Sequence, residues 1–361
     1  MAGASRHPQP IQPMKRRDFL HPRHVAGAAG QVLGALDALT DLAPAAVPDE
    51  VAYLHLSRRA MATTFELILP LDTGDALAVG DAVFDLIDQL EAQMTVYRDT
   101  SEISGLNQRA GDGPVAVEER LFELLSLAAR IHQETEGAFD PAAGALVKAW
   151  GFWKGPPRVP SPAERRQASL VSGMRHVLLD RSQRTVRFRQ RGVEFNLGSI
   201  GKGYALDRAA ELLRRWNFST ALLHGGKSSV YAMGKQPGSQ RGWPVVVQHP
   251  WQPGVELGTV WLSDQGLATS AATHRHLEWR GRNLGHILDP RRGWPAEILA
   301  SATAIAPTAA EADALSTAFF ILGVEKTVQY CQKHPGIAAV LLPAEPDARP
   351  VHVGFASSDA A

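Results

Sequence analysis

The chain of 361 residues contains a single cysteine, Cys331. That excludes an internal disulfide and any cysteine-based zinc cluster. Net charge is also missing: Lys plus Arg and Asp plus Glu each number 37. Such a balance argues against a whole-surface footprint for nucleic acid, so no nucleic-acid partner is expected. No run approaches the roughly 20 consecutive apolar residues of a transmembrane segment. Despite 32 glycines and 24 prolines there is no collagen-like period and no solenoid repeat. What is there is ordinary for a folded chain: 45% hydrophobic and 20% charged residues, enough for a sizeable core.

The first fifty residues read differently from the rest. Lys15-Arg16-Arg17-Asp18-Phe19-Leu20 has the form of a twin-arginine export signal, followed by the apolar run Val25–Leu39 and a cleavage-like Ala43-Pro44-Ala45. His21-Pro22-Arg23-His24 interrupts that pattern, and an amphipathic arm of a cytoplasmic protein fits equally. Both the periplasm and the cytoplasm stay open. The lack of a cysteine between 20 and 45 excludes a lipoprotein. The expected organisation is an arm or signal over 1–50, one domain over 51–345 and a tail over 346–361.

Within the domain, Met61–Leu69 alternates and is predicted as a strand. Asp75–Met94 has helical spacing, with Asp72 or Thr73 as cap. Leu121–Thr135 is predicted as a second helix, and Gly155–Pro162 as a loop. Short strands are expected over His176–Asp180, Thr185–Arg189 and Val193–Leu197, then a helix over Gly203–Trp216. Five further strands are expected between Ala221 and Thr269, helices over Glu311–Leu322 and Glu325–His334, and a last strand over Ile337–Leu342. Strands and helices intersperse without a strict βαβ rhythm, so the fold class expected is α+β in a single compact unit.

Four segments carry candidate chemistry. Asn196–Ala205 sets three glycines and Lys202 between a strand and a helix, a place where backbone N–H groups and a point charge could meet a phosphate. A plain strand-to-helix turn fits it too. Gly226-Lys227-Ser228 resembles part of a P-loop, but Ala221 stands where the first glycine belongs and a strand follows, so a glycine turn is preferred. His286 and Asp289 flank two apolar residues, and His286 could take a proton. His274 and His276 lie nearby without an acidic or cysteine partner at ligand spacing, which disfavours zinc. On the helix after Glu311, Asp313 and Thr317 share a face, a hard-oxygen pair suited to Mg2+. A helix-start aspartate serving the dipole is the simpler alternative.

Taken in order, these segments resemble one family. Met61-Ala62-Thr63-Thr64-Phe65, Tyr97-Arg98, Ser101-Glu102-Ile103-Ser104 with Leu106-Asn107, and Gly137-Ala138-Phe139-Asp140-Pro141 come first. Leu197-Gly198, Lys202-Gly203-Tyr204-Ala205, Gly225-Gly226, Ala268-Thr269-Ser270, Gly285–Pro290 and Ala312–Ala318 follow. The set, from about Tyr53 to Leu342, is similar to the FAD:protein FMN transferases, the ApbE flavin transferases. The resemblance implies a T-fold-like α+β structure that binds FAD and Mg2+. It implies transfer of FMN to a threonine hydroxyl of an acceptor protein bearing a short Ser/Thr-containing motif, with release of AMP, and in some members FAD hydrolysis.

It also implies roles for residues. Asp313 and Thr317 would ligate the metal with the Ser199 carbonyl. Met61, Tyr97, Ala138, Phe139, Asp140, Asn196, Lys202 and Ile287 would contact FAD, with Tyr97 and Phe139 suited to stacking on a ring and Ile287 or Leu288 to covering it. His286 would activate the acceptor threonine, with Asp289 beside it. The chain departs from the family pattern at Asn196, Ser199, Gly201, Lys227, Ala271 and Arg292. Those changes leave a second reading, a degenerate FAD-binding protein without turnover. The oligomeric state is not legible.

Overall fold

The computed structural model describes residues 51–71, 74–153, 156–271, 276–345 and 347–355. All of them fall within one compact unit. The expected arm over 1–50, the helix cap at Asp72 or Thr73 and His274 lie outside the described residues, as does the side chain of His276.

Eight strands form the central sheet: β1 (Tyr53–Ala60), β2 (Thr63–Pro70), β3 (Ala221–Gly225), β4 (Ser229–Met233), β5 (Gln265–Ala271), β6 (Leu299–Ala306), β7 (Ala338–Pro343) and β8 (Val351–Val353). Their order across the sheet follows the chain, and every neighbouring pair is antiparallel. The sheet is thus a meander carrying insertions. The largest lies between β2 and β3. It holds α1 (Ala76–Met94), α2 (Glu102–Arg109), α3 (Glu119–Glu134), α4 (Gly144–Ala149), α5 (Pro162–Leu170) and α6 (Gly201–Arg215). A long helix, α7 (Ala309–Lys333), joins β6 to β7. The mixture is α+β.

Alternation along the strands sorts side chains to two faces. Phe65, Leu67, Leu69, Leu223, Ala302, Ala304 and Leu341 join the core built with α1, α6 and α7. Ile68, Leu222, Val230, Leu267, Ile305 and Val340 face the other way, under the hairpin Trp243–Gln248/Glu256–Leu262. Helix α1 earns its place by burying Val79, Val83, Ile87, Leu90 and Met94 along one stripe. The two helices expected after Glu311 are limbs of α7, bent at Gly323, where φ 76° and ψ −175° leave the helical region.

Three expectations are corrected. Val193–Leu197 is not a strand beyond a single bridge from Glu194 to Ala143. Phe195 instead exchanges two hydrogen bonds with the Asn107 side-chain amide, 2.8 and 3.0 Å, which meets its backbone demand without a neighbour strand. The expected loop at 155–162 ends by opening α5. Ser161 and Glu164 form a capping box, with Pro162 in the first turn. The tail expected from 346 contains β8, which pairs with β7.

Candidate active site

The site is built first around Asp313, buried one turn into α7. Its Oδ2 accepts the backbone N–H of Gly203 at 2.6 Å, and its Oδ1 accepts the Ser229 hydroxyl at 2.5 Å. Gly203 lies in the first turn of α6, and Ser229 opens β4. The approach that permits this depends on small residues. A methyl group at Gly203 would run into the Ala309 carbonyl, and one at Gly266 would run into the Ala309 backbone from the other side. Gly203 is therefore required by helix packing.

Asp207, one turn further along α6, completes the clamp. Its two carboxylate oxygens accept the N–H groups of Ala309 and Ala310 at 2.8 and 2.9 Å, orphan donors at the start of α7. Burial pushes the Asp207 carboxyl up to about 7 against the pull of those two bonds, and Asp313 adds to the rise.

Hydroxyl groups extend the cluster. Ser270 of β5 lies 2.9 Å from Ser316 and 3.2 Å from Thr317, oxygen to oxygen. Each Asp313 oxygen accepts one bond and keeps lone-pair capacity for another. A carboxylate with Thr317 one turn on is a hard-oxygen donor set, so the residues present fit Mg2+ completed by water and phosphate. Among the described residues no group of three or more His, Cys, Asp or Glu side chains converges on a metal position.

The turns around this cluster are tight. Met61 and Ala62, at φ 49° and 61°, connect β1 to β2 in the left-handed region that glycine and asparagine favour. Glu91 holds the turn by accepting the Met61 N–H at 2.7 Å. Gly226 and Lys227, both at positive φ, make the turn between β3 and β4, as the preferred reading of that segment expects. Asn196 makes a turn of its own, its Oδ1 accepting from the Gly198 N–H at 3.0 Å. Lys202 is the second residue of α6 and joins no ion pair among the described residues.

A second group of residues surrounds His286. Its ring meets Phe152 edge to face at 6.4 Å, and Phe152 lies parallel to Trp150 at 6.2 Å. Trp150 is fully buried and donates its indole N–H to the Gly293 carbonyl at 3.2 Å. Tyr97 is 53% exposed and touches Trp153 edge-on at 6.5 Å. It stands where a planar ligand could stack. Asp289 is occupied otherwise: Arg291 grips both its oxygens, at 2.8 and 2.9 Å, and its backbone carbonyl accepts the Gly293 N–H. Its carboxylate thus fixes the turn that follows His286.

Comparison with known proteins decides the family. The profile of the ApbE family matches residues 61–341. The chain belongs to the ApbE family. It is 33% identical over 276 residues to the FAD:protein FMN transferase of Treponema pallidum, covering 73% of this chain and 76% of that one. It is 29% identical to the FAD:protein FMN transferase of Haemophilus influenzae, over 84% of this chain and 90% of that one. Among solved structures, the ApbE protein of Thermotoga maritima superposes with a TM-score of 0.75 at 27% identity, covering 84% of this chain and 97% of that one. The flavin transferase ApbE of Vibrio cholerae gives 0.74 at 25% identity, with the same coverage.

The ApbE-like segments divide into two kinds in this fold. Some are scaffold. Ser101 caps α2 by accepting the Ser104 N–H, and Asn107 clamps Phe195. Ala138 and Phe139 are 1% exposed within the core, so the Phe139 ring is not offered for stacking. Asp140 is buried too, its oxygens taken by the N–H groups of Ala142 and Met174 and approached by His132 at 3.3 Å. Burial raises its carboxyl pKa. Ile287 is buried as well. Others are partly or largely exposed: Tyr97, Lys202, Ser199, Thr317 and His286. Sequence reasoning missed Asp207, Ser229 and the rings of Trp150, Phe152 and Trp153. A signal existed for Asp207, a carboxylate on the buried stripe of a helix, which demands donors.

Proposed function

We propose that this protein transfers the FMN half of FAD to a threonine hydroxyl of an acceptor protein and releases AMP. The observation that carries the reading is the Asp313 clamp: a buried carboxylate held by Gly203 and Ser229, with Thr317 beside Ser270 one turn on. Asp313, Thr317 and the Ser199 carbonyl would hold Mg2+, which supplies positive charge to the pyrophosphate of FAD when bound. The relatives' names and the shared fold support the same donor and a protein acceptor.

The chemistry asked of the chain is positioning and proton transfer. A P–O bond forms between the threonine oxygen and the phosphorus of the FMN half. The bond from that phosphorus to the bridging oxygen breaks, and AMP leaves with the electron pair. The threonine proton goes to His286, whose ring Phe152 backs. Lys202, at the start of α6, adds charge for the leaving phosphate, and Tyr97 offers a face to the isoalloxazine. Water in place of threonine gives FAD hydrolysis.

The test is incubation of the purified chain with FAD, Mg2+ and an acceptor domain bearing a Ser/Thr-containing flavinylation motif. A mass adduct of FMN on the acceptor, with AMP in solution, is expected. FAD binding with neither product would establish the binding-only reading that Asn196, Lys227 and Arg292 motivate.

A further inference from the structure

The wall of rings behind His286 does not stop at Trp150. Trp150 meets Trp294 edge-on at 5.0 Å, and Trp294 meets Trp279 at 5.6 Å. Guanidinium groups cover its outer end. Arg165 of α5 lies 5.0 Å from the centre of Trp294, and Arg280 lies 4.6 Å from that of Trp279. Arg292 is exposed and precedes Gly293, where an added side chain would come within 3.4 Å of Arg165 Cγ. The nearby acids are engaged elsewhere: Asp289 with Arg291, Glu297 with Arg282 and Glu164 with Arg158. Among the described residues no carboxylate pairs with Arg165, Arg280 or Arg292. Glu278, exposed beside Trp279 on the hairpin His276–Trp279/Arg282–Gly285, leaves the face net positive.

We propose that this arginine-and-tryptophan face binds an acidic segment of the acceptor polypeptide, next to the threonine that is modified; the inference rests on the transferase reading. An arginine over an indole is held in place and still directs its N–H donors outward, so it loses little freedom on meeting a carboxylate. The buried rings of Phe152 and Trp150 bridge His286 to Trp294 in three contacts, so the arginines stand on surface close to the base and one short peptide could span both. Unpaired cations of one sign select the opposite sign in a partner and speed its encounter, an effect that salt weakens.

The experiment uses the full chain and two short fluorescein-labelled peptides. They share one threonine and differ only in flanking Asp/Glu or flanking Lys. Anisotropy should show the acidic peptide binding about tenfold tighter or more at low salt, with the gap narrowing at high salt. The double variant Arg165→Glu/Arg280→Glu should abolish or reverse that preference, and Arg280→Lys should keep most of it. FAD affinity should stay unchanged in all of them, which also reports an intact fold. Equal binding of the two peptides, a preference untouched by charge reversal, or a parallel loss of FAD affinity would overturn the proposal. AMP release from FAD, measured on the same wild-type sample, tests the transferase reading separately.

Discussion

The surroundings of Asp313 and of His286 solve opposite problems. Around Asp313 the side chains are small. Gly203, Gly266, Ala309 and Ala310 let backbones close up until N–H groups reach carboxylates. Around His286 they are large: Trp150, Phe152 and Trp294 fill space with rings. A buried charge must be held by direct bonds, since each missing donor costs as much as the bond itself. A ring wall is held by area and tolerates no loss of volume. One region should therefore break in its chemistry and the other in its stability.

The largest expected effect is on the ring side. Trp150→Ala removes a fully buried indole and its bond to Gly293, and should cost about 3–5 kcal/mol in denaturant unfolding. A cost below about 1 kcal/mol would show that the wall collapses to refill the gap.

The matching break at the other side is Asp313→Asn. The amide oxygen can still accept from Gly203, and the Ser229 hydroxyl can rotate to accept from the new NH2. The melting temperature should therefore hold, while AMP release falls by about a hundredfold or more through the lost charge. A variant that unfolds but keeps its rate would invert the comparison.

A smaller effect tests a polar group on the opposite sheet face. Glu66 accepts from His224 at 2.9 Å and from His55 at 2.7 Å. Bonding to His224 and then His55 lowers its carboxyl to about 2, against an ordinary 4.5. A lowered acid stabilises the fold fully above pH 4.5, and that contribution fades as pH falls toward 2. It should amount to no more than about 2 kcal/mol, because His55 lies on the surface and solvent screens it. Melting curves of wild type and Glu66→Gln should converge with acid; curves that stay parallel would remove the effect.

The smallest expected effect is Ala62→Gly. Relief of the left-handed strain at φ 61° outweighs the extra freedom of glycine in the unfolded chain, giving about 0.5 kcal/mol of added stability by thermal melting.

Several of these features are legible in the residues. The apolar stripe of α1, the turn at Gly226-Lys227, the bend that splits α7 and the spacing of Asp313 and Thr317 one turn apart on it all follow from local pattern. The capping box of α5 was legible as well, in the spacing of Ser161 and Glu164, although the prolines around it read as loop. Strand β6 was not. Leu299–Ala306 is buried at every position and every second residue from Ala300 is alanine, so with only Thr303 and Ile305 β-branched and no wholly polar face it carries a weak strand signal.

The sequence by itself determined the small and charged residues at the crossing of α6 and α7, and so the family and the carboxylate at its centre. Only the tertiary structure decided which of those residues are scaffold. Phe139 and Asp140 read as ligand contacts, yet the fold spends the ring on the core and the carboxylate on two backbone N–H groups. It also assembled the wall behind His286 from two distant segments, one carrying Trp150 and Phe152 and the other Trp279 and Trp294. The physical reason is range. Helical stripes, caps and turns arise from neighbours a few residues apart, whereas the donors of Asp313 and Asp207 and the acceptor of the Trp150 indole lie 84 to 143 residues away in the chain.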